Sequence, residues 1–193
     1  MTELLLVRHG ETDWNRDQRF QGHADPPLND TGRAQARALA DELAGERIDA
    51  IYTSDLARAR ETAELIAERA GVPFVLEPQL REVDVGEWQG LTRPEIEERF
   101  PDGMRNWHER GHGWERGETY EQLAERVLEA LERIVSRHPG ERVVLVGHGG
   151  TIRAIRAHMD ESTVVEHRRI LPSASNCEVF RIGAENGTLR RLD

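Results

Sequence analysis

The sequence predicts a three-layer α/β/α sandwich on a mostly parallel central sheet with an antiparallel edge. Three observations carry that fold class. The short apolar runs Leu4–Val7 and Val143–Val146 read as strands buried on both faces. Helix-period segments alternate with such runs, as crossover connections in a parallel sheet require. Two closing runs, Cys177–Ile182 and Thr188–Leu192, meet near Asn186-Gly187, a hairpin signal that supplies the antiparallel edge.

The first strand, Leu4–Val7, is followed by a helix over Thr31–Leu43 that Gly45 closes. Residues 48–53, Ile-Asp-Ala-Ile-Tyr-Thr, form the second strand. Leu56, Ala59, Ala63, Ile66 and Ala70 then recur at helical spacing, with Asp55 placed as the cap and Gly71 as the stop. A short strand covers Pro73–Leu76. The stretch of about residues 83–118 is irregular and rich in Gly, Trp and charge; it reads as an excursion over one end of the sheet, with a short helix around Pro94–Arg99. Thr119-Tyr-Glu-Gln122 is a capping box that opens a long helix with Leu123, Val127, Leu131 and Ile134 on one face. A helix over Thr151–Met159 follows the Val143–Val146 strand. With no linker, repeat or low-complexity tract, residues 1–193 read as one domain.

Charge narrows the chemistry. The chain carries a net charge of -10, and all 26 of its basic residues other than histidine are arginine. Without lysine there is no Gly-Lys-Ser/Thr phosphate loop, no Schiff-base lysine and no kinase-type ATP lysine. The acidic excess argues against nucleic acid or a membrane surface as partner. The single Cys177 has no disulfide or zinc partner and reads as a buried small hydrophobe. Residues 1–20 do not read as a secretory signal, so a cytoplasmic protein is expected.

Two strands end alike, in Val7-Arg8-His9-Gly10 and Val146-Gly147-His148-Gly149-Gly150. Strand carboxyl ends line the binding crevice of an open α/β sheet, and the following glycines let backbone come close. A lone histidine there reads as structural; the matched pair reads as a site. Arg8 adjoins His9, and Arg58 falls in the first turn of a helix whose free N–H groups favour an anion. Two guanidiniums, two imidazoles and a helix start describe a pocket for a dianionic phosphoryl group.

The segment Leu6-Val-Arg-His-Gly-Glu-Thr-Asp-Trp-Asn15 resembles the signature of the histidine phosphatase superfamily, in its phosphoglycerate mutase-like branch. The resemblance continues in order through Gln21-Gly22, Asp25–Asn29, Thr31-Gly32, Ser54–Ala59, Thr62, Leu80–Glu82, Gly86–Gly90, Gly117-Glu118, Arg126-Val127, Gly147–Gly150 and Asn176. It implies the phosphoglycerate mutase-like fold and a histidine acid-type phosphatase, a phosphoric monoester hydrolase working through phosphohistidine. His9 would be the nucleophile, Arg8, Arg58 and His148 would hold the phosphoryl oxygens, and Glu82 would serve as proton donor and then base. Asn15, Gln21, Gly22 and Gly149 are the implied substrate-binding positions, and no metal or cofactor is implied. The partner is a small phosphate ester of phosphosugar, phosphoglycerate or α-ribazole-5'-phosphate type; a homodimer stays open.

Two enzyme alternatives and one binding alternative accompany this reading. A mutase would follow its donor glutamate with basic groups that grip a substrate carboxylate, whereas Val83 follows Glu82 here and no lysine exists. A non-catalytic phospholigand-binding module would keep the pocket without the chemistry. His108-Glu-Arg-Gly-His112 matches the zinc-protease pattern H-E-x-x-H, but that mechanism needs both histidines on one helix face, and the surrounding glycines oppose a helix. Trp88, Trp107, His108 and His112 are assigned instead to a specificity loop.

Overall fold

A computed structural model describes residues 1–185 and 187–192. Six strands form one sheet in the order β3-β2-β4-β1-β5-β6, with β1 at Thr2–Arg8, β2 at Ala50–Thr53, β3 at Phe74–Leu76, β4 at Arg142–Gly147, β5 at Val179–Glu185 and β6 at Thr188–Arg191. The first four are mutually parallel, and β5 and β6 run antiparallel to their neighbours. Asn186 of the expected turn lies outside the described residues.

Alternate residues of the central strands feed two cores, which is why the strands read as continuous apolar runs. Leu5, Val7, Val144 and Val146 face α2 (Asp30–Leu43) and α3 (Ala57–Ala70). Leu4, Leu6, Val143 and Leu145 face the opposite layer, built from α6 (Tyr120–Arg137) and α7 (Gly149–Met159). The layers are thus α/β/α. Burying each of these Leu or Val side chains contributes about 1.5–3 kcal/mol.

Several boundaries differ from the sequence reading. The α3 helix is capped at Leu56, because Asp55 is occupied by a bidentate ion pair with Arg81. The α2 helix is capped by the Asn29 side chain and closes at Ala44 rather than Gly45. Cys177 is half-buried, not buried, and holds a left-handed backbone. The short α1 (Asp13–Arg16) and the later α8 (Val164–Ile170) were not expected, although Thr163 and Glu166 form a capping box.

The helix expected around Pro94–Arg99 is α4 (Arg93–Arg99), and the excursion adds a second that was not expected, α5 (Pro101–Arg110). The α5 helix carries His108 and ends at Gly111 in a left-handed cap, so His112 lies beyond it and off its face. A helix does exist, but it stops before the second histidine of the H-E-x-x-H pattern. Among the described residues no group of three or more His, Cys, Asp or Glu side chains is placed to hold a metal ion. No helix among them is long and apolar enough to cross a membrane.

Candidate active site

The site is built by strand register. In the parallel β1–β4 pair, Arg8 lies opposite Gly147, and the next N–H, that of His9, donates to the Gly147 carbonyl at 3.0 Å. The register therefore delivers His9 and His148 side by side, with ring centroids 5.2 Å apart. The β1 exit can turn here because Gly10 packs on backbone: a Cβ on it would meet the Gly32 carbonyl oxygen at 2.5 Å.

His9 is 2 % exposed, and its Nδ1 donates to the Gly10 carbonyl oxygen at 2.7 Å. A carbonyl only accepts, so this contact fixes the proton on Nδ1 and leaves the Nε2 lone pair free. Burial, then the charges of Arg58 and Arg8, hold the His9 pKa well below its usual 6.5. His148 is depressed in the same direction, again by burial first and then Arg58. His148 Nε2 lies 2.9 Å from the Ser54 hydroxyl, which also accepts the Leu56 N–H. With Ser54 donating to Nε2, the His148 proton sits on Nδ1, a buried donor with no protein partner.

Two arginines flank the imidazoles. Arg58 has no exposed surface and is anchored by carbonyls: Nη1 donates to Ala24 at 2.8 Å and Nη2 to Gly22 at 2.9 Å. Burial pulls its pKa down to about 10. Arg8 donates from Nη1 to the Ala174 carbonyl, and burial lowers it too. The Nε atoms of Arg8 and Arg58 are both buried without a partner. Together with His148 Nδ1 these are three donors with unspent hydrogen bonds, and an anion is what would satisfy them.

Glu82 is held against the first turn of α7, where the Gly150 N–H donates to both carboxylate oxygens at 3.0 and 3.2 Å. A Cβ on Gly150 would come within 2.1 Å of Glu82 Oε1. The backbone behind Glu82 is pinned by Arg126, which donates to the carbonyls of Gln79, Arg81 and Glu82 and pairs with Glu118. Asn15 commits its Oδ1 to the Thr12 N–H and hydroxyl, which leaves its amide N–H groups free.

A cavity of about 360 Å³ opens on this arrangement and is lined by Arg8, His9, Asn15, Gln21, Gly22, Arg58, Glu82 and Gly149 among others. Of the expected specificity-loop residues only Trp107 lines it. Trp88 is wholly buried in an aromatic cluster with Phe20, Trp107 and Trp114, His108 is exposed beside Arg93, and His112 packs against Trp114. These three belong to packing and surface, not to the cavity. The sequence reading also missed cavity residues: Phe20, Tyr120, Arg153, Arg168 and Ser173. Arg153 lies three residues after Gly150 on one helix, a spacing that could have flagged it.

The family model for the histidine phosphatase superfamily (branch 1) matches residues 4–192. The chain is 43% identical over 168 residues to a metal-independent phosphoserine phosphatase of Arabidopsis thaliana, covering 84% of this chain and 71% of that protein. It is 39% identical over 195 residues to a probable phosphoglycerate mutase of Photorhabdus laumondii, covering 94% of this chain and 85% of that one. A mycobacterial glucosyl-3-phosphoglycerate phosphatase, solved in complex with VO3, superposes with a TM-score of 0.87 at 32% identity, covering 97% of this chain and 95% of that chain.

Proposed function

Given that the chain belongs to the histidine phosphatase superfamily (branch 1), we propose that it hydrolyses small phosphate monoesters through a phosphohistidine formed at His9 Nε2. The observation that carries this reading is the Nδ1–Gly10 contact, which leaves Nε2 with its lone pair inside a cavity of cationic donors. Nε2 attacks phosphorus as the ester P–O bond breaks, and Arg8, Arg58 and His148 hold the three non-bridging oxygens as charge builds on them. Glu82 gives its proton to the departing alkoxide. It then takes one from water, which attacks the phosphohistidine to release phosphate and regenerate neutral His9. Asn15, Gln21, Gly22 and Gly149 border the same space as binding positions.

Arg8 and Arg58 supply the positive charge this scheme needs, and the neutral His148 adds a hydrogen-bond donor. Turnover of a chromogenic phosphate ester in excess EDTA tests it. Sustained release that disappears in His9→Ala is expected; turnover untouched by that substitution would refute the role of His9. Burial, with the Arg58 and Arg8 charges, lowers the His9 pKa well below its usual 6.5, which favours the neutral nucleophile. Hydrolysis is favoured over mutase transfer by Val83 directly after Glu82 and by the absence of lysine. The named mutase relative keeps transfer as the second reading. Phosphate release outpacing interconversion of 2- and 3-phosphoglycerate decides between them.

A further inference from the structure

The carbonyl that fixes the His9 proton belongs to the Gly10–Glu11 peptide, and the other end of that peptide is held as well. Its N–H, on Glu11, donates to the Gln35 side-chain Oε1 at 2.9 Å. One peptide plane therefore joins a half-buried amide on α2 to the Nδ1 of the nucleophile. The preceding peptide is held too: the Gly10 N–H donates to the Thr62 hydroxyl at 3.1 Å, and that hydroxyl donates to the Arg58 carbonyl at 2.8 Å. Thr62 lies on α3 with no exposed surface. Neither Gln35 nor Thr62 is among the residues that line the cavity.

These contacts matter at Gly10 because a glycine imposes little φ/ψ preference of its own. Packing removes part of the freedom: a Cβ on Gly32 would meet the Glu11 nitrogen at 2.6 Å, so the α2 backbone lies directly against this peptide. Hydrogen bonding removes the rest. A peptide whose N–H already donates is a better acceptor at its carbonyl, since bonds in a chain polarise one another. The demand on that carbonyl rises during the reaction. A ring with phosphorus on Nε2 and hydrogen on Nδ1 carries a positive charge, and the Gly10 oxygen is the negative end of a dipole aimed at it.

We propose that Gln35 and Thr62 are positioning residues for the nucleophile. They clamp the two peptides that flank Gly10, so that its carbonyl holds His9 in the Nδ1–H form before attack and steadies the charged ring after it. Gln35 acts through the peptide, touching neither substrate nor imidazole, much as a carboxylate orients a catalytic histidine. Thr62 ties the same turn to the Arg58 backbone, so one hydrogen-bond chain sets both the nucleophile and a donor to the phosphoryl group. This rests on the hydrolase reading and adds two residues to its machinery.

Nitrogen-15 spectra of the labelled protein at neutral pH read the His9 tautomer directly, its signals identified by their loss in His9→Ala. The wild type should show the proton on Nδ1, and Gln35→Leu should show that form depleted. With a chromogenic phosphate ester, Gln35→Leu should lower kcat about tenfold to a hundredfold and leave KM largely in place, the mark of lost alignment. Gln35→Glu keeps an acceptor for the Glu11 N–H and cannot donate, so it should retain the wild-type tautomer and most of kcat. Thr62→Val should resemble Gln35→Leu, and Thr62→Ser, which keeps the hydroxyl, should recover. A wild-type His9 protonated on Nε2 overturns the clamp with no variant needed. So does Gln35→Leu with the wild-type tautomer and kcat, or a kcat loss as large in Gln35→Glu as in Gln35→Leu. Should the wild type turn over no ester, the hydrolase reading fails by itself, and the tautomer comparison still decides the clamp.

Discussion

At the scale of single residues, the chemistry depends on what each polar atom is already bonded to. The Gly10 carbonyl accepts a hydrogen bond from His9 Nδ1 and Ser54 faces His148 Nε2, so the remaining nitrogen of each ring is the one with work left to do. Glu82 depends in the same way on a bare Gly150 N–H. In Gly150→Ala the new methyl would overlap Glu82 Oε1, the far end of a flexible side chain, so the protein should fold while the carboxyl is pushed aside. The expected outcome is a fall in kcat of about a hundredfold or more, the scale of one general acid, with melting temperature nearly unchanged. Steady-state kinetics beside a thermal melt check it. The identities of His9, His148, Arg8, Arg58 and Glu82 were legible because each follows an apolar run, opens a helix or falls in the ordered motif set. Arg153 and Arg168 were not. Arg153 hides among Ile152, Ala154 and Ile155, where it reads as one polar position on a core helix. Only the packing of α8 and Trp107 brings Arg168 to the cavity.

At the scale of elements, β-strand register does what no single motif can. A shift of one residue in the β1–β4 pairing would turn one histidine to the opposite face of the sheet. Strands buried on both faces were readable from composition, and α6 from its capping box. Of the excursion α4 was readable but α5 was not, although Pro101 and Gly111 mark its start and stop, because Trp107 packs in an aromatic cluster with Trp88 rather than in a regular apolar stripe. The loop bearing Glu82 is held by Arg126, whose side chain is 19% exposed and whose Glu118 partner is 14% exposed. Of Glu82, Arg126 touches the backbone carbonyl and not the carboxyl group, so it is a positioning residue. Arg126→Gln should lower kcat about tenfold while leaving KM largely in place, since the carboxyl loses alignment and the phosphoryl donors do not. A KM rise matching the kcat loss would show that Arg126 shapes binding instead.

At the scale of the whole molecule, a chain of net charge -10 places Arg8 and Arg58 beside His9 and His148 at the strand ends, where burial and those charges hold both rings neutral. That arrangement has a cost readable in pH. His9 and His148 both have folded-state pKa values well below 6.5, so below pH 6.5 the unfolded chain binds protons that the folded chain refuses. Their contribution is fully present above pH 6.5 and is lost as pH falls from there toward the folded-state values. Carboxylates with lowered pKa, such as Glu46 and Asp55, lose their contribution in a separate window below about pH 4.5. Melting temperature should therefore decline from pH 6.5 to 5, and the slope should be shallower in His9→Asn. A flat profile for the wild type would mean that neither histidine is held neutral. The most direct test of the mechanism is chemical: mix the enzyme with phosphate-labelled ester, quench within one turnover in alkali, and map the label by peptide digestion. Label on the His9 peptide, stable in base, labile in acid and absent from His9→Ala, is expected. Hydrolysis proceeding with no labelled His9, or with label carried elsewhere, would contradict it.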